Sequence, residues 1–173
     1  LNFFNSSKIL INKHKPYLEK LVTTLVLEDK VTQAINLIKI NNKKSNSEFF
    51  EAYILLALDS LKKNNLIKAK EILDTIPEKF RENRFDFIIL NSLIQYIDVF
   101  ESKKIQVEKK NFGNLTSISE TFQRCYLDDK NTDTFFLQLI NNYQSDYSRY
   151  IFFYLTYLVE KNRINDAKEI TNK

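Results

Sequence analysis

The amino-acid sequence predicts an all-α fold in which antiparallel helical hairpins stack as a short α-solenoid, irregular in its middle. Two observations carry this expectation. Chain-breaking residues are scarce: 173 residues contain one Gly and two Pro, and no Asn-Gly or Asp-Gly pair occurs, whereas sheet folds place such residues in their turns. In addition, three segments, 18–38, 53–73 and 151–171, align with one another without gaps.

Each segment is anchored on a small residue, Ala34, Ala69 or Ala167. Three residues before the anchor stands an apolar residue (Val31, Leu66, Ile164), and five before it a polar turn residue (Asp29, Asn64, Asn162). Further upstream, Leu18, Leu21, Val22 and Leu25 recur as Tyr53, Leu56, Ala57 and Ser60, and again as Ile151, Tyr154, Leu155 and Leu158. Steps of three, one and three trace one face of an amphipathic helix. The expected unit is therefore a first helix carrying this stripe, a short polar turn, and a second helix whose Ala lets the two backbones approach closely. One hairpin leaves an apolar face uncovered, so hairpins stack.

In chain order, the expected helices are 3–13, 16–28, 31–41, 47–63, 66–76, 84–100, 116–127, 133–143, 146–161 and 165 onward. Pro16 suits a first helical turn, and Ser45-x-x-Glu48 and Ser117-x-x-Glu120 read as capping boxes. Phe87, Leu90, Asn91 and Ile94 fit another first helix, but its anchor position falls on Lys103 and no partner follows at once. The stretch of about 101–143, which includes the lone Gly113, is read as an irregular insertion, with 116–127 as a delayed second helix and 133–143 as an extra one. Ile170 is expected to stand exposed at the end of the array, an open end suited to self-association. The chain starts at Leu1 and contains no Met, so it is read as a piece of a longer protein, here a single repeat domain over 1–173.

The 35-residue spacing of Ala34 and Ala69, with Tyr53, Leu56, Ala57, Ala69, Leu73 and Ile76 before Pro77, resembles the tetratricopeptide repeat, a helical hairpin with a period of about 34. Ser60 stands where that family carries an aromatic. The resemblance implies a bacterial-type helical repeat protein that acts as a non-catalytic scaffold or adaptor for a protein or peptide partner. It implies binding on the concave face, where Glu19, Thr23, Ile54, Leu58, Phe152 and Thr156 fall. Family members that clamp carboxylates place Lys, Asn and Arg there. The mainly apolar and neutral residues here point either to an apolar helix or extended peptide as ligand, or to burial of Ile54, Leu58 and Phe152 by the array's own curvature or its extra helices. The compartment, cytoplasm or periplasm and envelope, stays open.

Little in the sequence suggests other chemistry. A single Gly excludes GxGxxG and P-loop phosphate cradles, and no cofactor is expected. His14 is the only His and lies in a Lys13-His-Lys-Pro16 linker, where a surface turn residue is expected and a catalytic base is not; a catalytic triad or a histidine metal cluster would need more than this. Cys125 is the only Cys, which rules out an intrachain disulfide. Asp128-Asp129 lacks the Gly and distal Glu of a calcium loop and reads as a solvated turn. The longest apolar runs are shorter than a membrane span. The net charge of +4 and pI near 9.0 raise an RNA-binding alternative of pentatricopeptide kind. However, the excess is nearly all Lys, with Glu and Asp interspersed, which is the pattern of a solvated helix face.

Overall fold

A computed structural model of the chain describes Leu10 and residues 14–41, 48–106, 113–142 and 148–171. Among these are ten α-helices, a 3-10 turn at Ser148–Tyr150 and no strand, in agreement with the expected class. We number the helices α1 (Lys15–Leu27), α2 (Val31–Asn41), α3 (Phe50–Lys62), α4 (Leu66–Asp74), α5 (Glu78–Glu82), α6 (Arg84–Ser102), α7 (Asn114–Leu127), α8 (Thr132–Ile140), α9 (Ile151–Glu160) and α10 (Ile164–Thr171). Apart from Leu10, the helix expected over 3–13 lies outside the described residues, as does Ser45 of the first capping box. The chain divides into two compact units, 1–97 and 98–173.

Four pairs of consecutive helices pack as hairpins: α1 with α2, α3 with α4, α7 with α8, and α9 with α10. All four turns have the same backbone geometry. Asp29, Asn64, Asp128 and Asn162 adopt left-handed φ values of 57°, 57°, 53° and 59°, a conformation that Asn and Asp tolerate better than other side-chain-bearing residues. The next amide then reaches back to the last turn of the preceding helix. Lys30 N donates to Leu25 O (2.8 Å), Asn65 N to Ser60 O (2.9 Å), Asp129 N to Arg124 O (3.0 Å) and Arg163 N to Leu158 O (2.8 Å). This is the Schellman closure, which satisfies carbonyls that the helix end leaves open.

The third hairpin corrects the sequence reading of 101–143. The helices expected at 116–127 and 133–143 are found as α7 (Asn114–Leu127) and α8 (Thr132–Ile140), and they pack on each other as the two arms of one hairpin instead of serving as a delayed second helix and an extra one. The capping box is also corrected. The helix begins earlier, at Asn114 behind Gly113 (φ 65°, ψ −131°), and Ser117 lies inside it, where its carbonyl accepts from Thr121 Oγ1 (2.8 Å). Glu120 is engaged by Arg124 at 2.5 Å and does not reach back to the helix start. The short helix α5 was not anticipated. It follows Pro77 directly, and its Arg81 donates to Leu73 O (3.3 Å) and Ile76 O (3.5 Å), carbonyls at and beyond the end of α4.

In the first unit, Leu18, Leu21, Val22 and Leu25 of α1 are buried with Ala34 and Ile38 of α2 and with Phe49 and Ala52. A neighbouring cluster joins Phe50 and Ala57 of α3, Ala69 and Leu73 of α4, Ile76, and Leu90 and Ile97 of α6. In the second unit Phe136, Tyr154, Tyr157, Leu158 and Ala167 form the core, with the Phe136 and Tyr154 rings stacked at 5.0 Å. Ala34, Ala69 and Ala167 are all buried, as close helix packing requires. Ile170 is half-buried against the second unit's core and is not fully exposed.

Candidate functional site: a groove between three helices

A groove of about 320 Å³ runs between α1, α3 and α6. Its walls repeat one helical spacing. Val22, Thr23, Val26 and Leu27 come from α1, Phe50, Glu51, Ile54 and Leu55 from α3, and Phe85, Asp86 and Ile89 from α6. Steps of one and three bring residues that are three and four apart onto the same helical face. The start of α6 is held by Asn83, whose Oδ1 accepts from Phe85 N (2.9 Å) and Asp86 N (3.3 Å), as N-capping side chains do. Val22 and Phe50 are buried in the core beneath. Leu27 and Phe85, in contrast, are 80% and 70% exposed, so two large apolar side chains stand in water at the groove.

Two carboxylates interrupt this apolar lining. Glu51 and Asp86 lie in the first turns of α3 and α6, where the helix dipole supports negative charge. Burial, and then the Glu51 charge, push the Asp86 carboxyl above its ordinary range. Among the described residues neither carboxylate has an ion-pair partner. Glu28 and Asp59 of the same unit, by comparison, hold Lys30 at 2.7 Å and Lys39 at 2.6 Å.

Of the six residues expected at a binding face, the groove brings together Thr23 and Ile54. Thr23 is exposed, and its hydroxyl donates to Glu19 O (2.9 Å). Glu19 and Leu58 belong to the same unit but do not line the groove; Glu19 is half-buried and Leu58 44% exposed. Phe152 and Thr156 belong to the second unit. There Phe152 is 71% exposed and its carbonyl accepts from Thr156 Oγ1 (2.8 Å). Sequence reasoning missed Leu27, Phe85 and the Glu51–Asp86 pair. The available signal was that Leu27 and Phe85 are large apolar residues lying outside the stripe that packs each hairpin.

A larger hollow of about 900 Å³ lies between α3 and α4 near Lys39. Its lysines are already engaged: Lys39 and Lys63 share Asp59 at 2.6 and 2.8 Å, and Lys68 pairs with Glu71 at 3.0 Å. The two lysines beside Asp59 hold its carboxyl below the ordinary range. This is a closed ionic arrangement and offers no free charge from its lysines.

In the second unit, Asp128 and Asp129 are tied to protein cations. Asp128 accepts from Tyr157 Oη (3.1 Å) and pairs with Lys161 (2.6 Å), and Asp129 pairs with Arg124 (2.8 Å). Asp133 likewise takes Arg163 (2.8 Å) and Tyr154 Oη (3.1 Å). Cys125 is half-buried, and burial, with help from Glu160 and Asp128, raises its thiol above the ordinary range. His14 is exposed ahead of α1. Among the described residues no group of His, Cys, Asp and Glu is arranged to hold a metal ion, and no helix is long and apolar enough to cross a membrane.

No protein-family model, no curated protein and no solved structure matches this chain.

Proposed function

We propose that the chain is a non-catalytic protein–protein interaction module, a short tetratricopeptide-like array of hairpins that binds an apolar segment of a partner in the α1–α3–α6 groove. The observation that carries this reading is the exposure of Leu27 and Phe85 beside an apolar hollow built on the first unit's core. Keeping such side chains in water forgoes roughly 1.5–3 kcal/mol each, and clustered exposed apolar surface marks interaction sites. The identical left-handed turns at Asp29 and Asn64, 35 residues apart, and at Asp128 and Asn162, 34 apart, support the repeat character.

The test is selection of peptides from a displayed random library against the whole chain, followed by affinity measurements on the variant L27S/F85S. Both positions are largely exposed, so the variant should retain its helical circular-dichroism spectrum. The selected peptides are expected to lose at least about tenfold in affinity, equivalent to 1.4 kcal/mol. Unchanged affinity for the variant would remove the groove from the function.

A further inference from the structure

We propose that the occupant of the α1–α3–α6 groove is an amphipathic helix of a partner protein whose apolar face carries one Lys or Arg, seated between Glu51 and Asp86. This rests on the groove reading above and adds the chemistry of the ligand.

The walls determine the ligand's backbone. All three are helices, whose main-chain groups bond along the helix or, at the start of α6, to the Asn83 side chain, so the groove has no strand edge on which an extended peptide could satisfy its amides. An extended ligand would leave polar backbone groups against Leu27, Ile54 and Phe85, which is costly. A helical ligand satisfies its own backbone and presents apolar side chains at steps of three and four, matching the spacing of the walls. At about 320 Å³, the hollow accommodates a few side chains of one helical turn or two, not a folded domain.

The carboxylates determine the ligand's charge. Glu51 and Asp86 come from different helices but line the same groove, where the Glu51 charge adds to burial in raising the Asp86 carboxyl. The helix dipoles explain why each is tolerated at its helix start. They do not supply a counter-charge, and the described residues around the groove supply none either. A Lys or Arg from outside would meet two carboxylates in a partly desolvated setting, where charge-assisted hydrogen bonds are strongest. An acidic or purely apolar ligand would leave the repulsion in place or worsen it.

The test uses the peptides selected against the whole chain. Peptides that depend on Leu27 and Phe85 are expected to carry Lys or Arg among apolar residues at helical spacing. Replacing that basic residue by norleucine should weaken binding to the native protein about tenfold. Against the variant E51Q/D86N, which keeps the shape of both side chains, the same replacement should change affinity less than about twofold. Groove-dependent peptides without a basic preference, or an equal norleucine effect on both proteins, would overturn this inference and leave the groove reading standing. Selected peptides indifferent to L27S/F85S would overturn both.

Discussion

Gly113 shows how much one residue contributes to the second unit. It precedes α7 with φ 65° and ψ −131°, a region that side-chain-bearing residues almost never enter. A Cβ built at this position would meet nothing within 4 Å, so space is not the constraint. Any cost of G113A is therefore backbone strain alone. We expect a loss of about 1–3 kcal/mol, measured by urea denaturation. Wild-type stability in G113A would show that the start of α7 relaxes freely into another conformation. The chain's single glycine thus stands at a position whose backbone angles call for it.

At the scale of elements, the hairpin is the unit that repeats, and Ala69 tests its register. The residue is fully buried between α3 and α4, where a large side chain cannot fit without displacing Ala57 or Leu73. A69F should cost about 1–3 kcal/mol by overpacking, or about 4–8 °C of melting midpoint per kcal/mol for a unit of this size. I67F lies on the same helix but at a position 72% exposed, and should stay within about 0.5 kcal/mol of the native protein. Equal midpoints for the two variants would refute the packing register. Three of the four hairpins were legible because their stripes and Ala anchors are apolar or small. The third was hidden: where the others carry Leu18, Leu21, Val22 and Leu25, it carries Ser117, Glu120, Thr121 and Arg124, and its anchor position is Asp133. That helix is held in part by ionic contacts, Arg124 to Glu120 and Asp129, so hydropathy could not reveal it. Its turn residue Asp128 did carry the common signal, five positions before the anchor.

At the scale of the whole molecule, the site was legible only in part, because sequence periodicity orders residues along one helix whereas a groove is made by several. Thr23 and Ile54 follow from the hairpin register. Phe85 and Asp86 enter from the start of α6, which Asn83 caps. Charge at the same scale offers a test between the protein-binding proposal and RNA binding. The net charge is +4, yet Lys30, Lys39, Lys63, Lys68, Arg124, Lys161 and Arg163 each lie within 3.0 Å of a carboxylate. A cation with a carboxylate beside it adds little net attraction for a phosphate. Single-stranded RNA binding loses affinity with salt at a logarithmic slope of about −0.7 per neutralised phosphate. A titration of single-stranded RNA between 50 and 200 mM salt, concentrations chosen to expose that dependence, should therefore give weak binding with a slope shallower than about −1.5. Tight binding with a slope near −3 or steeper means four or more phosphates held at once, and would place the function on a basic surface instead of the acidic, apolar groove.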